Sequence, residues 1–194
     1  MERSKEKVYN EYLKGRSLKG YIYKKWLLYP RIDRYLDGKL LDFGCGIGDF
    51  LEYRRNSVGV DSNQYNVTVC LQRGLDAKYI KSNRLPFLDR YFSSVVMDNV
   101  IEHIPSQDVK DVIQELLRVL IPGGTLLIGI PGPKGYASDD DHKCFYAESD
   151  LIQFMGKLGC INIRTLHSPF YFPAMGKYLC QYCIYVFFRA PFDA

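Results

Sequence analysis

With 194 residues, 47% of them hydrophobic and 25% charged, the chain can bury a sizeable core as one domain, which excludes a disordered or collagen-like protein. A formal net charge of +4 is too mild to indicate nucleic acid, which calls for a clustered basic face. No apolar run reaches membrane-spanning length, and the charged start Met1–Lys7 has no apolar stretch behind it, so a cytoplasmic protein without a signal peptide is expected.

Helical spacing predicts helices over 5–14 and 19–36. In the second, Ile22, Trp26, Leu27, Tyr29, Ile32 and Leu36 fall on one apolar stripe, with Pro30 as a kink. Lys and Arg concentrate in 3–39 beside many tyrosines, the pattern of a solvated helix surface. Leu40–Phe43 is the first strand, a short helix covers 49–55, and Ser57–Val60 is the second strand. A helix over 63–73 follows, with Ser62 or Asn63 able to cap it. Strand three is Ala77–Lys81, and Leu85–Phe87 forms a loop. Strand four, Ser93–Met97, has the unbroken apolar pair Val95 and Val96 of a buried parallel strand.

Asp108–Leu120 is an amphipathic helix, stopped by Pro122-Gly123-Gly124. Thr125–Ile130 is strand five, and 131–141 is a loop that closes on three aspartates. A helix over 149–158 has Ser149 as cap and Gly159 as terminator. Cys160–Leu166 and Tyr182–Phe188 are the last strands. Alternating strands and helices imply a parallel sheet with right-handed crossovers. The last two strands have no clear helix between them and imply an antiparallel hairpin. No internal repeat or low-complexity segment is present. The six cysteines are scattered, as expected of reduced thiols, and Cys180-x-x-Cys183 lacks the second pair that a zinc site needs.

The segment 40–50 combines a buried strand, a glycine turn and a helix start. Its glycines can take positive φ and let backbone approach a ligand closely, and the helix start offers free N–H groups. Val58–Asp61 ends a second strand in a carboxylate suited to a ribose diol. A dinucleotide fingerprint needs Gly-x-Gly-x-x-Gly, but after Gly44 and Gly46 the third position is Asp49, whose charge opposes a pyrophosphate. A P-loop fails too, since no Gly-Lys-Ser/Thr follows. The pattern Asp42-x-Gly44-x-Gly46-x-Gly48 suits an adenosine with an amino-acid tail, whose ammonium would meet Asp42.

In these residues the chain resembles the class I S-adenosylmethionine-dependent methyltransferases, of the small-molecule type similar to ubiquinone-biosynthesis enzymes. Leu40–Gly48 looks like that family's first motif and Val58–Asn63 like its second. Lys81–Phe87 resembles the segment passing the adenine, Phe92–Ile104 the fourth strand and its loop, and Leu116–Pro131 the following helix and strand. The blocks occur in the family's order over about 38–131. The resemblance implies an α/β, Rossmann-like fold: a mostly parallel seven-stranded sheet with an antiparallel last strand and helices on both faces. It divides one domain, 1–194, into a helical cap (1–37), a cofactor-binding core (38–131) and acceptor-side loops with the last strands (132–194).

S-adenosylmethionine is the implied cofactor. Its pocket is expected from Asp42, Gly44, Cys45, Gly46, Gly48, Asp61, Ser62, Ser82, Asn83, Met97 and Asp98, with Asp61 on the ribose or capping the next helix. Two departures stand out. Lys81, Ser82 and Asn83 occupy a loop where the family often has an acid, and Phe92-Ser93-Ser94 replaces a usual Phe-Asp.

Methyl transfer is an in-line displacement in which the protein aligns the partners and excludes water. A base is needed only where the acceptor must lose a proton, and the candidates are His103, His142 and Tyr146. His103 serves equally well as a loop fastener. No ligand spacing indicates a metal, so none is expected. Aromatic residues in 168–188 suit a flat or sugar-like acceptor, a core, or a dimer interface. The expected acceptor is a small-molecule hydroxyl on a sugar, quinone or lipid-linked metabolite. The Asn/Asp-Pro-Pro-aromatic motif of nucleic-acid amino-methylating relatives is absent, since Asp98-Asn99-Val100-Ile101 stands there. An RNA or protein methyltransferase and a non-catalytic cofactor-binding protein are the alternatives. A monomer, a homodimer and a peripheral membrane contact all remain compatible with the sequence.

Overall fold

The computed structural model describes residues 18–82 and 84–192; the helix expected over 5–14, and Asn83, lie outside them. Seven strands form one sheet in the order β3-β2-β1-β4-β5-β7-β6. They are β1 (Leu40–Phe43), β2 (Ser57–Asp61), β3 (Ala77–Tyr79), β4 (Phe92–Asp98), β5 (Leu120–Pro131), β6 (Ile161–Ser168) and β7 (Cys183–Arg189). The first five run parallel, whereas β7 is antiparallel to both β5 and β6. Strand order reverses between β1 and β4, which opens a crevice at their carboxyl ends.

Successive side chains in a strand face opposite sides of the sheet. On one side Leu41, Val95, Met97, Leu126 and Ile128 pack with Val109, Ile113 and Leu116 of helix α5 (Ser106–Val119) and with Leu151 and Met155 of α7 (Glu148–Lys157). On the other side Leu40, Val96, Leu127, Tyr185 and Phe187 pack with Leu28, Tyr29, Ile32 and Leu36. Asp42 and Asp98 share the parity of Leu40 and Val96, so both face the N-terminal helical segment.

That segment corrects the predicted stripe. Helix α1 (Leu18–Tyr23) passes into a π-helical stretch, Lys24–Leu28, and then α2 (Tyr29–Asp33). Pro30 has no N–H for the Trp26 carbonyl, and the Tyr29 N–H reaches back to Lys24. The wider turn rotates the face, so Leu28 is buried while Ile22, Trp26 and Leu27 are exposed.

Asn63 caps helix α4 (Gln64–Gln72) by accepting from the Tyr65 N–H at 2.9 Å. Ser149 caps nothing: α7 begins at Glu148, its N-cap is Ala147, and the Ser149 hydroxyl donates to Asp150. Strand β5 begins at Leu120 rather than Thr125, because a register shift opposite Phe92 and Ser94 absorbs Pro122-Gly123-Gly124 within the pairing. Helix α3 (Asp49–Tyr53) is shorter than expected, and a short helix α6 (Pro133–Tyr136) stands within the loop expected over 131–141. Of the late aromatics, Tyr182, Tyr185, Phe187 and Phe188 are core, whereas Phe170, Tyr171, Phe172 and Tyr178 are exposed. Among the described residues no helix is long and apolar enough to cross a membrane.

Arg118 of α5 fastens the loop after β3. Its guanidinium grips Glu115 through two hydrogen bonds, Nε to Oε2 at 2.8 Å and Nη2 to Oε1 at 2.7 Å, while donating to Asp89 and the Phe87 carbonyl. Glu115 in turn accepts from the Leu85 amide at 2.6 Å. Burial alone would push the Glu115 carboxyl up, but the bonds from Arg118 and Leu85 outweigh it and hold it below its usual range. A depressed folded-state pKa gives stability present above the unfolded value, about 4.3, and lost as pH falls through the folded one. Glu115→Gln should therefore lower unfolding free energy by about 1 kcal/mol at pH 7 in urea titrations, with the gap closing below about pH 4.

Candidate functional site

The site is built first from the turn between β1 and α3. Gly44 and Cys45 both donate to the Val60 carbonyl, at 2.8 and 3.0 Å, which folds the turn back over the end of β2. Gly44 has φ +76° and lies so close to Val100 that a Cβ would stand 2.4 Å from its Cγ2. Gly46 has φ +53°, yet a Cβ there would meet nothing within 4 Å. Its open side is the space in which a ligand can approach the backbone.

Asp61 ties this turn to α4. Its Oδ2 accepts from the Gly46 N–H at 2.8 Å, and its Oδ1 from the Asn63 N–H at 2.7 Å and the Asn66 side chain at 3.3 Å. It is thus not the cap of α4, a role Asn63 fills. A carboxylate offers about four acceptor positions, so three are in use and the Asn66 bond is the longest. Arg73, which the sequence reading missed, braces the turn from behind: it donates to the Ile47 carbonyl and pairs with Asp49 and Glu52. Only the fold brings it there.

Two cavities share Gly44 and Gly46. The larger, about 520 Å³, is walled by Asp61, Ser62, Ile80, Ser82, Asn99 and His103, among others. The smaller, about 170 Å³, is walled by Lys24, Tyr29, Asp42, Cys45 and Asp98. Asp42 is buried, and burial first and the neighbouring Asp98 second push its pKa well up, with Lys24 opposing. The smaller cavity is therefore rich in carboxylate and suits a cationic group.

Two residues expected in the pocket lie elsewhere. Gly48 faces the core, where a Cβ would stand 2.6 Å from Leu75 and 2.9 Å from the Cys70 sulfur. Met97 is fully buried on the α5 side of the sheet. Asn99, directly after Asp98, lines the larger cavity at φ +53° and donates to Asp98 at 2.7 Å. An Asn directly after a strand carried a signal, because Asn tolerates that backbone region.

The candidate bases gather beyond β4. A 3-10 turn, Ile101–His103, places His103 on the larger cavity with its ring 4.7 Å from that of His142. His142 Nδ1 is 2.7 Å from the Tyr136 carbonyl, and the two rings of this pair stack. Glu102 lies buried behind them, its carboxyl raised to about 7, first by burial and then by Asp98 and Asp139. Tyr146 is pushed up to about 12, mainly by burial, so its hydroxyl stays protonated at neutral pH and is a poor base.

Residues 41–128 match the family model described as a methyltransferase domain. These residues thus form a methyltransferase domain. It is 34% identical over 113 residues to the human protein named "Probable tRNA methyltransferase 9B", a match covering 54% of this chain and 24% of that one. It is 28% identical over 144 residues to an uncharacterized protein of Methanocaldococcus jannaschii, covering 69% of each. The chain thus spans about a quarter of the length of the human relative. A S-adenosylmethionine-dependent methyltransferase from Thermotoga maritima superimposes with a TM-score of 0.74 at 18% identity, over 98% of this chain and all of that one, a likeness of fold.

S-adenosylmethionine is the cofactor of the methyltransferase family, and the residues present fit it. The open side of Gly46 leaves room for the ligand against backbone, the larger cavity has the size and the Asp61 carboxylate for an adenosine, and the smaller offers Asp42 and Asp98 to an ammonium.

Proposed function

We propose that the protein transfers the methyl group of S-adenosylmethionine to a hydroxyl oxygen of a small-molecule acceptor, such as a sugar, quinone or lipid-linked metabolite. The observation that carries this reading is the paired cavity with His103 on its wall, a proton acceptor at the end of the crevice where the methyl would be presented. The exposed Phe170, Tyr171 and Phe172 support a flat or apolar acceptor. We propose that 1–37 acts as the cap, 38–131 holds the cofactor and 132–194 supplies the acceptor side.

A second reading, an RNA acceptor, is favoured by the name of the human relative. It is also favoured by a surface cavity where Arg31, Arg164, His167 and Tyr171 meet, since cations beside an aromatic ring suit a phosphate and a base. Incubation with cofactor labelled on the methyl group tests both readings, using a metabolite extract in one arm and total RNA in the other. Label in small organic products supports the first reading, and label that nuclease releases as nucleotides replaces it with the second. Label in neither, from a protein that binds the cofactor, would leave the non-catalytic alternative.

A further inference from the structure

We propose that Glu102, His103 and His142 form a divalent transition-metal site at the acceptor end of the crevice, and that the metal holds the acceptor oxygen. Ligand atoms of the three side chains lie within 4.8 Å of one another. A metal at about 2.1 Å from each would draw them to separations of about 3.4 Å, a movement of rotamer size.

Glu102 supplies the independent sign. It is 1% exposed, and neither carboxylate oxygen has a hydrogen-bond partner among the described residues. A buried carboxylate without partners is costly, and a cation is the partner it lacks. The ring nitrogen His142 Nε2 is 3.9 Å away, beyond hydrogen-bond range.

The tautomer of His142 fits a ligand. A carbonyl only accepts, so the 2.7 Å contact to Tyr136 puts the proton on Nδ1. Nε2 is left with its lone pair, facing Glu102 and also Asp139, each at 3.9 Å. A ring N–H donated to a backbone carbonyl is the usual support of a metal-bound histidine. Two imidazoles and one carboxylate suit zinc, manganese, iron(II) or cobalt(II) better than magnesium or calcium. Asp139, half-exposed, is placed to add a fourth ligand or to leave that position to substrate.

His103 borders the larger cavity, so an open coordination position would face an acceptor there. A hydroxyl bound to the metal gives up its proton to solvent more readily. Its oxygen then forms the O–CH3 bond as the S–CH3 bond breaks, and the electron pair of that bond goes to sulfur, leaving S-adenosylhomocysteine. The expectation of no metal came from sequence spacing, which does not show that His142 folds back on Glu102. The site deepens the hydroxyl reading and rests on it.

The test is cobalt(II) titration of the chelator-stripped full chain, followed by visible absorption and calorimetry, with a separate S-adenosylmethionine titration. One bound cobalt is expected, with Glu102→Gln and His142→Ala each weakening it at least about tenfold. Because Glu102 is buried, His103→Ala on the cavity wall is the further variant, with the same loss expected. Absence of binding, or binding unaltered in all three, overturns the proposal. So does a sulfur-to-cobalt band that disappears in Cys180→Ser. Cofactor binding without cobalt binding would remove the metal alone, and cobalt binding without cofactor binding would remove the methyltransferase reading instead.

Discussion

Asp61→Ala is expected to weaken S-adenosylmethionine binding by about 2–3 kcal/mol, or roughly 30- to 150-fold, in calorimetric titration. The effect has two sources. The carboxylate is the acceptor at the end of β2 that faces the larger cavity, where a ribose diol would donate to it. It also holds the Gly46 N–H at 2.8 Å and so sets the height of the glycine turn. A ribose hydroxyl would replace the Asn66 bond, the longest of the three that Asp61 now accepts. Asn66→Ala should therefore cost far less, within about threefold. Unaltered affinity in a folded Asp61→Ala protein would remove Asp61 from the site.

Phe187→Ala is expected to cost about 3–5 kcal/mol of unfolding free energy, measured by urea or thermal denaturation. That is a large part of the total stability of a domain, about 5–15 kcal/mol. Phe187 is fully buried in β7, with its ring 5.1 Å from that of Tyr35 and among Leu28, Tyr29 and Leu127. It therefore joins the last strands to the N-terminal helical segment, and truncation leaves a cavity at that joint. Phe170→Ala, on the exposed loop, should stay within about 0.5 kcal/mol. A loss below about 1 kcal/mol for Phe187→Ala would show that the joint contributes little to folding.

The strands were legible because sheet burial is written locally. Leu40–Phe43 is a run of apolar residues around one aspartate, and the observed strand has those bounds. The glycine turn and Asp61 were legible for the same reason: positive φ and a strand-terminal carboxylate are properties of adjacent residues. The phase of the N-terminal helix was not, because the stripe assumed an unbroken 3.6-residue period that the π-helical stretch before Pro30 interrupts. The start of β5 was hidden by Pro122-Gly123-Gly124, which mark a stop unless a register shift accommodates them. Gly48 looked like its neighbours, but its close approach is to Leu75 and Cys70, and no spacing rule tells packing from ligand contact. The meeting of Glu102 with His142 depends on the loops after β4 and β5 lying side by side, a property of strand order alone.

The paired cavity around Gly44 and Gly46 is expected to hold S-adenosylmethionine. Calorimetric titration of the purified chain with S-adenosylmethionine and S-adenosylhomocysteine, and with NAD as control, tests it most directly. Micromolar binding of the first two is expected and none of NAD, whose pyrophosphate would meet Asp49 at the third fingerprint position. A folded protein that binds neither S-adenosylmethionine nor S-adenosylhomocysteine, or that prefers NAD, would contradict it.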